Sequence, residues 1–137
     1  MRLDLYHAET ARIAAEQAAI LAQAREIMSL RTLSLLEQAG VLHALQVLIE
    51  NAIGKAKQLL NARNEPVPVS AYDAFYALAR CGGIEQETLP SWNAVIGLRN
   101  RIVHDYMNVD IDLVLCLVAS NQEKFITEFL LKDIQRL

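Results

Sequence analysis

Cysteine, proline and histidine are scarce in this chain, with two, three and three in 137 residues, and each scarcity removes a class. Cys81 and Cys116 have no ligand spacing and no companion pair, so neither a disulfide framework nor a zinc site is indicated. Both read as inert packed thiols. His7, His43 and His104 are scattered and lack carboxylates at metal-ligand spacing, so no metal and no cofactor is expected. His7 reads as surface and His43 as a core or edge residue. No apolar run approaches the roughly 20 residues that span a bilayer. Asp4 and Glu9 interrupt any signal-like segment, and the expected location is the cytoplasm, away from membranes. A basic excess is missing too: 13 Lys and Arg stand against 16 Asp and Glu, a net charge of −3. Proteins that live on nucleic-acid phosphates are usually basic, so a broad RNA-coating surface is disfavoured. A local basic cleft is not, because short-range fields depend on placement.

What is present is apolar and helical. The hydrophobic fraction is 53%, and mean hydropathy is +0.19. Much of the excess is Ala and Leu, good helix formers. An excess of this size also points to apolar surface facing a partner. No strand-like alternation, repeat or low-complexity tract occurs, and the length suits one domain over residues 1–137.

From Leu3 to about Leu30 apolar residues recur at Tyr6, Ile13, Ile20, Ala24 and Ile27, predicting a long amphipathic helix. A second helix starts between Ser29 and Gly40 and runs to about Arg63. Its buried face is Val41, Leu45, Leu48, Ile49, Ala52, Ile53, Ala56 and Leu60. Gly40 and Gly54 inside that reach suggest close helix contact. Pro66 and Pro68 end it. Ser70 then caps a short third helix through Phe75 and Leu78, which stops at Gly82-Gly83. A fourth helix starts near Thr88 or Ser91, with Pro90 in its first turn and Trp92, Val95, Ile96, Leu98 and Ile102 as apolar residues. It ends between His104 and Asn108. Asp110 caps a last helix carrying Ile111, Val114, Leu115, Val118, Phe125 and Phe129 inward. The fold expected is all-α: an up-and-down antiparallel bundle with one short extra helix.

Arg99 to Tyr106 places Arg, Asn, Arg, His, Asp and Tyr in eight residues at the end of an otherwise apolar helix. Arg grips a phosphate with a bidentate fork, His moves protons near neutral pH, and a phenol donates a hydrogen bond or acts as nucleophile. Together these suit metal-free RNA cleavage, in which a ribose 2′-OH attacks the adjacent phosphate. They equally suit a polar helix end, with Arg101 and His104 solvating the last carbonyls.

The segment Gly97-Leu98-Arg99-Asn100-Arg101-Ile102-Val103-His104-Asp105-Tyr106 resembles the R-N-x-x-x-H-x-Y signature of the HEPN superfamily, and within it the HepT toxins of HepT–MntA (type VII) toxin–antitoxin pairs. Leu45–Ile53 resembles the family's second helix, and Pro68–Ala79 its loop and short helix. The resemblance covers about residues 40 to 130; residues 1 to 35 match no motif. It implies that Arg99 is the phosphate-binding Arg, His104 the catalytic His and Asn100 the polar residue beside the Arg. It implies that Tyr106 is the residue that a partner nucleotidyltransferase modifies with AMP. It also implies a homodimer cleft, RNA (tRNA) as substrate and no metal. Arg101 falls at a variable position.

On an ideal helix residues 99 and 104 point about 140° apart, whereas 101 and 104 are neighbours. The implied roles therefore require the helix to break before His104, or a cleft drawn from two chains. A helix running straight through Tyr106 would shift the phosphate role to Arg101. Asp105 and Asn108 favour a break. Glu50 either pairs with Arg99 or Arg101 or lies on a solvent-facing edge. Trp92 and the group Tyr72, Phe75 and Tyr76 read as packing. Lys55, Lys57 and Arg63 read as a solvated basic face. Two functions follow. One is a toxin ribonuclease silenced by adenylylation of Tyr106. The other is a non-catalytic substrate-binding or scaffold subunit of a nucleotidyltransferase.

Overall fold

The computed structural model describes residues 3–133. These form six α-helices: α1 Leu3–Met28, α2 Leu35–Ala62, α3 Ala71–Arg80, α4 Leu89–His104, α5 Ile111–Ala119 and α6 Lys124–Leu131. Two 3-10 turns, Gln86–Thr88 and Tyr106–Asn108, flank α4. No strand occurs among the described residues.

The central element is α2, which packs against α1, α3, α4 and α6. All eight apolar residues expected on its inner face are buried. It starts at Ser34, whose hydroxyl accepts from Glu37 N while the Glu37 carboxylate accepts from Ser34 N. This capping box settles the start that the apolar spacing left open between Ser29 and Gly40. Gly54 does mark close contact: a β-carbon there would lie 3.2 Å from the Tyr6 hydroxyl. Gly40 does not, having open space beside it.

Several expectations are corrected. The buried positions of α1 are Thr10, Ala14, Leu21 and Ala24, whereas Ile20 is exposed. The last helix is two helices: Asn121 takes a left-handed conformation (φ 57°), and α6 folds back against α1 and α2. The Lys55–Arg63 stretch is not a solvated face. Lys55 is buried, and its Nζ donates to the carbonyls of Phe129 (2.6 Å), Leu130 (3.4 Å) and Lys132 (2.7 Å), closing the end of α6. Arg63 donates to the Cys81 carbonyl, and Lys57 to that of Val69.

Trp92 organises the core beneath α4. It stacks on Phe75 with ring centres 4.4 Å apart and meets Phe125 and Phe129 edge-on. Packing of Trp92 and Phe75 is as expected, but Tyr72 and Tyr76 face outward. Cys116 is exposed rather than packed, and Cys81 is half-buried. His43 is exposed, whereas His7 is half-buried. No described helix is long and apolar enough to cross a membrane.

Candidate active site

The signature residues lie at the C-terminal end of α4. Pro90 opens that helix, and Trp92, Ile96 and Ile102 bury its inner side. It continues through His104, and Asp105 N closes the last turn on the Arg101 carbonyl at 2.8 Å. Asp105 then leaves helical geometry (φ −148°, ψ 48°), and its carboxylate accepts from the Asn108 side chain at 2.8 Å. Asp110 caps α5 by accepting from Leu113 N at 3.2 Å. Asp105 and Asn108 thus break the helix, but after His104 and before Tyr106. An Asx residue does this by offering the backbone a local hydrogen bond that competes with the helix.

The position of the break divides the candidate residues. Because α4 is regular from Arg99 through His104, those two side chains leave the axis about 140° apart. One chain therefore does not bring them onto one face. Arg101 and His104 are both exposed on the outer flank, one turn apart. Asn100 is half-buried, and Tyr106, 48% exposed, follows on the 3-10 turn. Arg99 points inward. It lines a cavity of about 350 Å³ with Glu50, Ile53 and Lys57 of α2 and with Val69 and Ala71. Its Nε is buried and has no hydrogen-bond partner. Glu50 lines the same cavity, but among the described residues no ion pair joins it to Arg99 or Arg101. It is exposed, and its oxygen accepts weakly from Gln46 at 3.4 Å. Of the two alternatives for Glu50, the structure shows the solvent-facing edge, at the rim of the cavity, and not the pairing.

The sequence reading missed Lys57 as part of this site. Glu50, Ile53 and Lys57 are three and four residues apart on one face of α2, so helical spacing held the signal. Val69 joins only through the fold, as the acceptor for Lys57 at 2.7 Å. Beside the α4 terminus runs an apolar surface. Val103, Met107, Leu113 and Leu117 are all at least 40% exposed. A groove of about 300 Å³ lies between α2, α4, α5 and α6, with Leu45, Leu98, Val114 and Leu117 among its walls. Among the described residues no group of three or more His, Cys, Asp or Glu side chains is placed to hold a metal ion.

Comparison with known proteins gives a consistent set of similarities. A family model described as ribonuclease HepT-like matches residues 14–130. The mRNA nuclease HepT of Shewanella oneidensis is 32% identical over 88 residues, covering 64% of this chain and 66% of that protein. The aligned part thus falls just short of two thirds of that relative's length. Among solved structures, the tri-AMPylated Shewanella oneidensis HEPN toxin in complex with MNT antitoxin superposes with a TM-score of 0.82 at 23% identity, covering 96% of each chain. A MntA–HpeT toxin–antitoxin variant gives 0.79 at 23% identity, covering 96% of this chain and 97% of that one. At such identities the structural likeness is one of fold. The all-helical architecture read from the sequence is the fold these toxins share.

Proposed function

The chain belongs to the ribonuclease HepT-like family, and on that premise we propose that it is a metal-independent ribonuclease toxin of a toxin–antitoxin pair. The observation that carries the reading is the intact Arg99, Asn100, His104 and Tyr106 set at the open end of α4, inside the stretch the family model matches. His104 acts as general base toward the ribose 2′-OH or as general acid toward the leaving 5′-oxygen, and its exposure gives RNA access. An arginine offsets the charge that builds on the phosphate.

Two copies answer the divergence of Arg99 and His104. A homodimer joined along Val103, Met107, Leu113 and Leu117 lines up two α4 ends across one cleft and removes exposed apolar surface from water. Arg99 then serves as the phosphate clamp, with Arg101 a second cation beside His104. The relative's name specifies mRNA, whereas the sequence resemblance pointed to tRNA, so single-stranded RNA is the substrate class and both are tested. The partner is an MntA-like nucleotidyltransferase. Adenylylation of exposed Tyr106 adds bulk and negative charge beside His104 and silences the enzyme. The cytoplasm, where RNA is at hand, is the site of action.

The test is incubation of purified protein with total tRNA and with an mRNA transcript, without added metal. The parent should cleave, and His104→Ala should fall by about 100-fold or more. Arg99→Ala should lose more than Arg101→Ala. Equal cleavage by parent and His104→Ala sinks the assignment. Silence from an unmodified parent favours the scaffold-subunit reading, which the net charge of −3 and the open apolar surface otherwise support.

A further inference from the structure

The outer face of α3 has no role in the core. Ala74, Phe75, Leu78 and Ala79 bury the inner face. Tyr72 (41% exposed) stands at the edge of that face, Tyr76 (57% exposed) further round, and exposed Arg80 follows. The spacing i, i+4, i+8 makes these three one stripe, with about 6 Å of helical rise between neighbours. Asp73, also exposed, is about 100° from Tyr72 but only about 60° from Tyr76 and about 20° from Arg80, so a carboxylate at the helix N-terminus, where it suits the dipole, flanks the stripe.

The stripe leads to the α4 flank. The Tyr72 hydroxyl lies 3.4 Å from where a Gly97 β-carbon would stand. Gly97, Arg101 and His104 fall on one line of α4, and Gly97 is about 10 Å from His104 along the axis. The chain before α3 is held in place twice: Lys57 Nζ donates to the Val69 carbonyl, and the Ser70 hydroxyl accepts from Asp73 N. Two exposed rings are thus fixed on a short rigid helix that runs from one cation, Arg80, toward another, Arg101.

We propose that Tyr72 and Tyr76, followed by Arg80, form a base-stacking track that receives single-stranded RNA on its way to His104. The occupant follows from chemistry and continuity. A step of about 6 Å exceeds the 3.4 Å of stacked bases, so the track suits unstacked ones. Aromatic faces take any base, and the stripe ends beside the residues assigned to cleavage. Stacking also explains how a chain of net charge −3 holds RNA, since few phosphates need be neutralised. The track rests on the ribonuclease reading.

The experiment measures kcat and KM on a six-nucleotide single-stranded RNA and on a dinucleotide too short to reach Tyr76. Tyr72→Ala and Tyr76→Ala should each raise KM for the hexamer about tenfold with kcat within about twofold, while Tyr72→Phe stays near the parent. Tyr76→Ala should leave the dinucleotide unchanged. Binding of the hexamer to His104→Ala protein should show a shallow salt dependence, a log–log slope of about −1 to −2. Should Tyr72→Ala melt early, the more exposed Tyr76→Ala carries the test. A parent that cleaves while both Ala variants keep its KM overturns the track and leaves the ribonuclease standing. Phe as damaging as Ala also overturns it, because the hydroxyl and not the ring would then matter. A parent that neither cleaves nor binds the hexamer overturns both.

Discussion

A single buried cation shows how far one residue's role can lie from its neighbours in sequence. Lys55 sits on α2 with three ammonium donors, and three carbonyls at the end of α6, more than seventy residues away, accept from it. Those acceptors carry the negative end of the helix dipole, which suits a cation. Burial outweighs this and pushes Lys55 down from 10.5 to about 8, against the pull of Asp133. Between pH 8 and 10.5 the unfolded chain binds a proton that the folded chain has released. Stability from this residue therefore rises with pH across that window, by at most about 1.4 kcal/mol per pH unit. Urea unfolding at pH 7, 9 and 10.5 should show this slope in the parent and not in Lys55→Met. That variant also strands three carbonyls and should lose about 2 kcal/mol at pH 7. Arg25 of α1 is comparable: it pairs with buried Glu123 at 2.5 Å and also donates to the Val118 carbonyl. Arg25→Ala leaves that carboxylate buried and unpaired, at a cost of about 3 kcal/mol in the same measurement. Neither partnership was legible in the sequence. Local charge pattern placed Lys55 with Lys57 and Arg63 on a wet face, and only the return of α6 gives it acceptors.

Helix ends obey local rules, and there the sequence was most readable. Ser70 and Asp110 each accept a backbone N–H three residues on, as their type and place predict, and Ser34 does the same where the apolar spacing left the start of α2 open. Ser34→Ala should cost about 1 kcal/mol in thermal or urea unfolding. Arg31 and the Ser34 N–H also hold Glu37 down to about 2, so this cap is intact above pH 4.5 and is lost as pH falls toward 2. The C-terminal ends of α2, α3 and α5 share one device. Glu65 N, Gly83 N and Gln122 N each reach back five residues, around Asn64, Gly82 and Asn121 in left-handed conformation. Gly82 was read as such a stop, but Asn121 was not, because Val118 and Phe125 on either side keep helical spacing. Asn121→Gly should keep the α5–α6 turn and its stability, while Asn121→Val should lose about 1–2 kcal/mol. Equal stability of the two variants would show that the turn does not depend on that residue.

At the scale of the whole molecule, the open question for function is what covers the apolar surface beside α4. Leu113 is 56% exposed at the start of α5 and takes little part in the core, so its substitution tests association rather than folding. The parent should sediment as a dimer at micromolar concentration, and Leu113→Glu as a monomer with an unchanged melting temperature. If the cleft draws on two copies, RNA cleavage by Leu113→Glu should fall at least about tenfold. A monomeric parent that cleaves RNA would instead move the phosphate role to Arg101, the cation next to His104 on the same chain.

The sequence alone determined the features that local chemistry governs. These are the inner face of α2, through its 3.6-residue period, the caps at Ser70 and Asp110, and a break of α4 forced by Asp105 and Asn108. It also carried the Arg99–Tyr106 signature, because that set lies within eight residues. Only the tertiary structure decided where the break falls relative to His104, and hence that Arg99 and His104 diverge. It alone placed Arg99 in a cavity with Glu50 and Lys57, sank Lys55 under α6 and left Tyr72 and Tyr76 outside. These placements depend on which distant element packs against a helix face, whereas the break is held locally by the Asp105–Asn108 hydrogen bond. The local period shows only that the face is there.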